Sequence, residues 1–120
     1  MKNSEFRVEI NKRLINFAVD IVKLTNSLPK TPAGFAIASQ IVRSGTSIGA
    51  NFHEAQSAST RKDFVNILTT CLKEARETSY WLIIISESQL MDNIKLDLLI
   101  RENDEIIRIL VSIVKNSKNS

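Results

Sequence analysis

Seven residues between 34 and 55 leave this chain little choice of architecture. Gly34, Ala38, Ile41, Gly45, Ile48, Phe52 and Ala55 recur in steps of four and three, so on an α-helix they fall along one line that alternates large with small. Such a seam suits a helix packed closely against another helix. Beside it Gln40, Ser44, Ser47, Asn51 and Glu54 repeat with the same rhythm, about 100° further round. Gly45 and Gly49 stand in mid-helix, where each costs ~1 kcal/mol relative to Ala. They call for a compensating reason, either close approach of a neighbouring helix or of a ligand or nucleic-acid backbone.

The rest of the chain supplies three more amphipathic helices. Ile10, Leu14, Phe17, Ile21, Leu24 and Leu28 give a helix over about 4–27, with Ser4 as its N-cap and Pro29 ending it. Thr31 caps the second helix, about 32–56, with Pro32 at its first position. Thr60 and Asp63 form a capping box for a third helix over about 61–88, whose seam is Phe64, Leu68, Cys71, Ala75, Thr78, Leu82 and Ile85. Asp92 is the expected cap of a fourth helix over about 93–115, with seam Leu96, Leu99, Asn103, Ile106, Leu110 and Ile113. An Asn at a seam position fixes register in coiled coils, and Asn103 is assigned that role. The tail Lys115–Ser120 is polar and expected to fray. Short connections make this an all-α, up-down-up-down four-helix bundle occupying residues 1–120 as one domain.

A hairpin of the second and third helices aligns both of their stripes at once. It sets Ile41 against Ala75, Gly45 against Cys71, Ile48 against Leu68 and Phe52 against Phe64. In the same register Arg43 comes near Glu74, Gln40 near Glu77 and Asn51 near Asn66. Arg43, Asn51, Glu54, Glu74 and Glu77 then admit two readings, a network that fixes register or an interface or ligand site. Trp81 continues the polar stripe and suits half-burial against a neighbouring subunit as well as burial in the core.

Enzymatic readings fail on residue types. His53-Glu54 is half of a zinc-protease helix motif, but Gln56 and Ser57 stand where its second His is needed. One His and one Cys cannot make a protein-only zinc site. Glu74 and Glu77 lack the Glu-x-x-His pairs of a di-iron bundle, and Ser44 and Ser47 have no His partner in their stretch. No cofactor or metal is expected. The lone Cys71 cannot pair within the chain, which fits a reducing, cytoplasmic compartment. No apolar run nears the ~18 residues of a membrane span, and the N-terminus lacks a signal-peptide core.

The net charge of +3 at pH 7 is unevenly placed. In the bundle, the N-terminus, the turn between the second and third helices and the C-terminus share one end. That end gathers Lys2, Arg7, Arg61, Lys62, Lys115 and Lys118 against Glu5, Glu54 and Asp63. At the other end Lys23, Lys30 and Lys95 balance Glu87, Asp92 and Asp97. Arg61 and Lys62 oppose the helix dipole where they stand. A basic pole of this kind fits nucleic acid, most naturally structured RNA; the competing reading is a protein-interaction scaffold.

The run Gln40-Ile-Val-Arg-Ser-Gly-Thr-Ser-Ile-Gly-Ala-Asn-Phe-His-Glu-Ala55, then Asp63-Phe64, then Leu72-Lys-Glu-Ala-Arg-Glu-Thr-Ser-Tyr-Trp-Leu82, closely resembles the four-helix-bundle proteins encoded in intervening sequences of bacterial 23S rRNA genes. The likeness covers about residues 8–115. Many relatives have Glu-Gly where this chain has Glu54-Ala55, so the turn after the second helix is expected to start later here. The resemblance implies a closed homo-oligomeric ring, a pentamer, and no catalytic residues. It also implies kinship with the accessory protein of diversity-generating retroelements, a basic ring that binds nucleic acid and a reverse transcriptase.

Overall fold

The computed structural model describes residues 3–119, and Lys2 lies outside them. Four helices account for the described fold: α1 (Asn3–Ser27), α2 (Pro32–Ala55), α3 (Arg61–Glu87) and α4 (Ile94–Asn119). They form a rod of 47 × 23 × 19 Å. Consecutive helices pack extensively, whereas α1 and α4, which would close the bundle, touch sparsely.

The helix ends follow local chemistry. The Thr31 hydroxyl accepts from the Gly34 amide at 3.1 Å and Thr60 from the Asp63 amide at 3.0 Å, each cap being worth ~1 kcal/mol. The Asp63 carboxylate reaches back to Ser59, whose hydroxyl lies 3.5 Å away. Four boundaries differ from the sequence reading. Ser4 lies inside α1 rather than capping it, and α2 stops at Ala55 with no delay. Asn93, not Asp92, caps α4, its Oδ1 accepting from Leu96 N at 3.0 Å. The tail expected to fray is helical to Asn119, because Lys118 in the last turn complements the dipole.

The expected seams form the core. Phe17, Ile21, Ile41, Ile48, Leu68, Leu82, Ile85, Leu96, Ile106 and Leu110 are essentially inaccessible, and full burial of each such side chain is worth ~1.5–3 kcal/mol. Three details shift. Ala38, Phe64 and Ile113 are only half-buried, and Val114 replaces Ile113 in the core. Ser44, placed in the polar stripe from sequence, is fully buried and accepts a 2.9 Å hydrogen bond from Thr78. A hydroxyl can be buried there because its hydrogen-bonding partner is buried with it.

Gly45 does not face Cys71. A Cβ at Gly45 would lie 2.9 Å from Ile21 Cγ2, and one at Gly49 would lie 3.2 Å from Leu14 Cβ. Both glycines therefore serve the α1–α2 contact, not the α2–α3 one. Close helix approach is what offsets their helix cost, and the approaching helix is the first rather than the third. Asn103 is buried as expected: its Nδ2 donates to Ala75 O at 2.9 Å, while its Oδ1 has no partner.

Candidate nucleic-acid interface

The ends of all four helices meet at the pole where sequence reading put the excess charge. A shallow groove of about 420 Å³ runs there, lined by Arg7 of α1, Gln56, Ser59 and Thr60 of the α2–α3 turn, Arg61 and Phe64 of α3, and Ser117 of α4. A hydrogen bond of 3.0 Å from Gln56 Nε2 to Asn11 Oδ1 ties the turn to α1. Arg7, Arg61, Lys62, Lys115 and Lys118 are all exposed. Arg7 and Arg61 line one groove although 54 positions separate them in the chain. Lys62, Lys115 and Lys118 stand outside its lining, on the first turn of α3 and the last turns of α4. Glu5, Glu54 and Asp63 share this end and are also exposed.

The second cluster lies along the α2–α3 face. Arg43 pairs with Glu74 at 3.2 Å and with Glu77, whose carboxylate also accepts from Trp81 Nε1 at 3.1 Å. The expected Arg43–Glu74 pair is present. Gln40, however, does not bind Glu77, which is taken by Arg43 and Trp81. Asn51 donates to Ser47 O at 2.8 Å instead of meeting Asn66, and Glu54 stays outside the network. The cluster is accordingly smaller than the sequence reading and better satisfied. Trp81 is half-buried, its ring edge-on to Tyr80 with centroids 5.1 Å apart.

Sequence reasoning missed one long-range contact. Arg13 grips Glu102 with two hydrogen bonds of 2.7 and 2.8 Å across the sparse α1–α4 seam; the bond to Glu102 raises the Arg13 pKa further. No local pattern announces a pair 89 residues apart. Beyond it, at the end of the rod away from the basic pole, a cleft of about 340 Å³ is lined by Asp20, Lys23, Lys95 and Glu102 among apolar side chains, so its charges offset one another.

Among the described residues no group of His, Cys, Asp and Glu could hold a metal ion. Burial pushes the Cys71 thiol up to about 12, so it stays protonated and unreactive at neutral pH. Among the described residues no helix is long and apolar enough to cross a membrane.

Comparison with known proteins agrees with this architecture. Residues 7–112 match the family model described as 23S rRNA-intervening sequence protein. A crystal structure of a protein of unknown function from the S23 ribosomal protein family of Bacteroides thetaiotaomicron VPI-5482 is similar throughout. It is 40% identical, covers 88% of this chain and 98% of its own, and superposes with a TM-score of 0.83. No curated protein matches. With four helices in the same arrangement and the family model spanning nearly the whole length, the chain belongs to the 23S rRNA-intervening sequence protein family.

Proposed function

We propose that this protein is a non-enzymatic homo-oligomer that binds RNA by its phosphates through the basic pole. The observation that carries the reading is the groove shared by Arg7 and Arg61, with Lys62, Lys115 and Lys118 exposed on the same end. Cations delivered from three separate helices suit an extended polyanion. Arg61 and Lys62 add support, since cations in a first helical turn cost ~0.3–1 kcal/mol each against the dipole. The ring of five implied by the family resemblance would repeat the pole on one face and multiply a weak contact into a strong one.

The test is a titration with 23S rRNA fragments at two salt concentrations. Arg61→Glu with Lys62→Glu is expected to preserve helical content, weaken binding and flatten the salt dependence by about two phosphate contacts. Undiminished binding by that variant would place the site elsewhere. Absence of binding by the unsubstituted protein would leave a protein-interaction scaffold as the reading.

A further inference from the structure

The α1–α4 seam is clasped near its middle by the Arg13–Glu102 pair and opens toward the end away from the basic pole. Seven residues further along each helix, in opposite directions, stand Asp20 and Lys95, which antiparallel packing brings to one level. Lys23 follows one turn beyond Asp20 on the same face of α1. The cleft between these groups holds about 340 Å³. That is the volume of about eleven waters and falls within the range of small-molecule pockets.

The floor of the cleft is apolar. Leu24 and Leu99 are 5 and 6% exposed, Leu98 beside them is 54% exposed, and half-buried Met91 joins them in the lining. The four lining charges cancel in sum, but they are not equally available. Glu102 is held by two hydrogen bonds from Arg13, so its charge is already matched. Lys23, Lys95 and Asp20 line the same cleft yet pair neither with one another nor with any other described residue. Two free ammonium groups therefore stand with one free carboxylate, an excess of one positive charge over an apolar floor. Lys95 also sits in the first turn of α4, where a cation opposes the helix dipole.

We propose that this cleft binds a small organic acid, its one carboxylate taken up by Lys23 and Lys95. Its apolar body, of about six to ten carbons, lies on Leu24, Leu98 and Leu99. A single negative charge balances the excess left beside Asp20. A phosphate monoester carries nearly two at neutral pH and would leave one unmatched next to that carboxylate. An amine would meet two like charges. Lysines suit the role, because flexible stems let two point charges converge on one carboxylate without a fixed fork. The apolar floor supplies affinity that a bare inorganic anion would lack. This site lies at the opposite end of the rod from the basic pole and does not rest on RNA binding.

The test is ligand-observed saturation-transfer NMR on the full chain, titrating octanoate, octanol and octylamine. Octanoate is expected to bind about tenfold more tightly than either neutral octanol or cationic octylamine. Lys23→Gln with Lys95→Gln is expected to weaken octanoate about tenfold, to the level of octanol. Helical content should be unchanged, since both lysines are exposed and unpaired. Leu98→Glu, at an exposed position, is expected to abolish octanoate binding by setting a carboxylate where the apolar body lies. Equal binding of octanoate and octanol would show an apolar gap with no preference for an acid and overturn the proposal. Octanoate binding that both variants leave unchanged would place it on another surface and overturn the assignment equally, as would no binding of octanoate at all.

Discussion

Gly45 shows how a single missing side chain positions two helices. With Ile21 Cγ2 and Cγ1 at 2.9 and 3.0 Å from where a Cβ would sit, Gly45→Ala must displace a fully buried side chain. The better helix propensity of Ala gives back ~1 kcal/mol, less than overpacking takes. Urea unfolding is expected to show a net loss of about 1–2 kcal/mol for Gly45→Ala. Gly49→Ala, opposite Leu14 Cβ at 3.2 Å, should be close to neutral. Equal effects would mean that the α1–α2 spacing does not depend on Gly45. A close helix neighbour was one of the two explanations the sequence left open for the mid-helix glycines, favoured for Gly45 by its place in a large-small seam. Which neighbour was not legible there, because a residue at the edge of a buried stripe can face either of two flanking helices. Ser44 failed for a related reason. A hydroxyl reads as polar in sequence, and only the partner Thr78, 34 positions away, makes it a core residue.

The helices as units were easier to read than their ends. Four amphipathic seams and the Thr31 and Thr60 caps follow from spacing and side-chain chemistry that a dozen residues contain. The exit from α3 does not. Gln89 has φ 57°, with Gln89 N donating to Ser86 O and Leu90 N to Ile85 O, both at 3.2 Å; this is a Schellman turn. Its left-handed position favours Gly, and a longer side chain there costs ~1 kcal/mol or more. Nothing in Ser88-Gln-Leu-Met91 signals such a turn. Gln89→Gly is expected to stabilise the protein by about 0.5–1 kcal/mol in thermal or urea unfolding, since backbone relief exceeds the added entropy of the unfolded chain. A destabilised variant would show that the Gln89 side chain contributes something its surroundings do not reveal. α4 was misread at both ends for one reason: polar residues in a terminal turn are compatible with either helix or coil until the dipole and the caps are counted.

At the scale of the whole molecule, charge placement was legible because topology alone decides which helix ends share a pole. The groove was not, since it depends on how closely those ends approach. The packing is also lopsided. α2 and α3 sit in the middle of a chain of contacts, while α1 and α4 meet sparsely and are joined by the Arg13–Glu102 pair. That pair is about one-third exposed on both sides, where ion pairs are worth ~0.2–1 kcal/mol. Hydrogen exchange is therefore expected to show α1 less protected than α2 and α3. Uniform protection across the four helices would show that the bundle opens only as a whole.

Trp81 is the single tryptophan, and its indole N–H is held by the same Glu77 carboxylate that binds Arg43. Its fluorescence thus watches the α2–α3 face and is blind to the seam on the far side of the rod. Far-ultraviolet dichroism, in contrast, sums all four helices. If α1 leaves first, ellipticity falls while emission holds, and the gap between the two unfolding curves measures how much chain unravels before the chromophore's own surroundings give way.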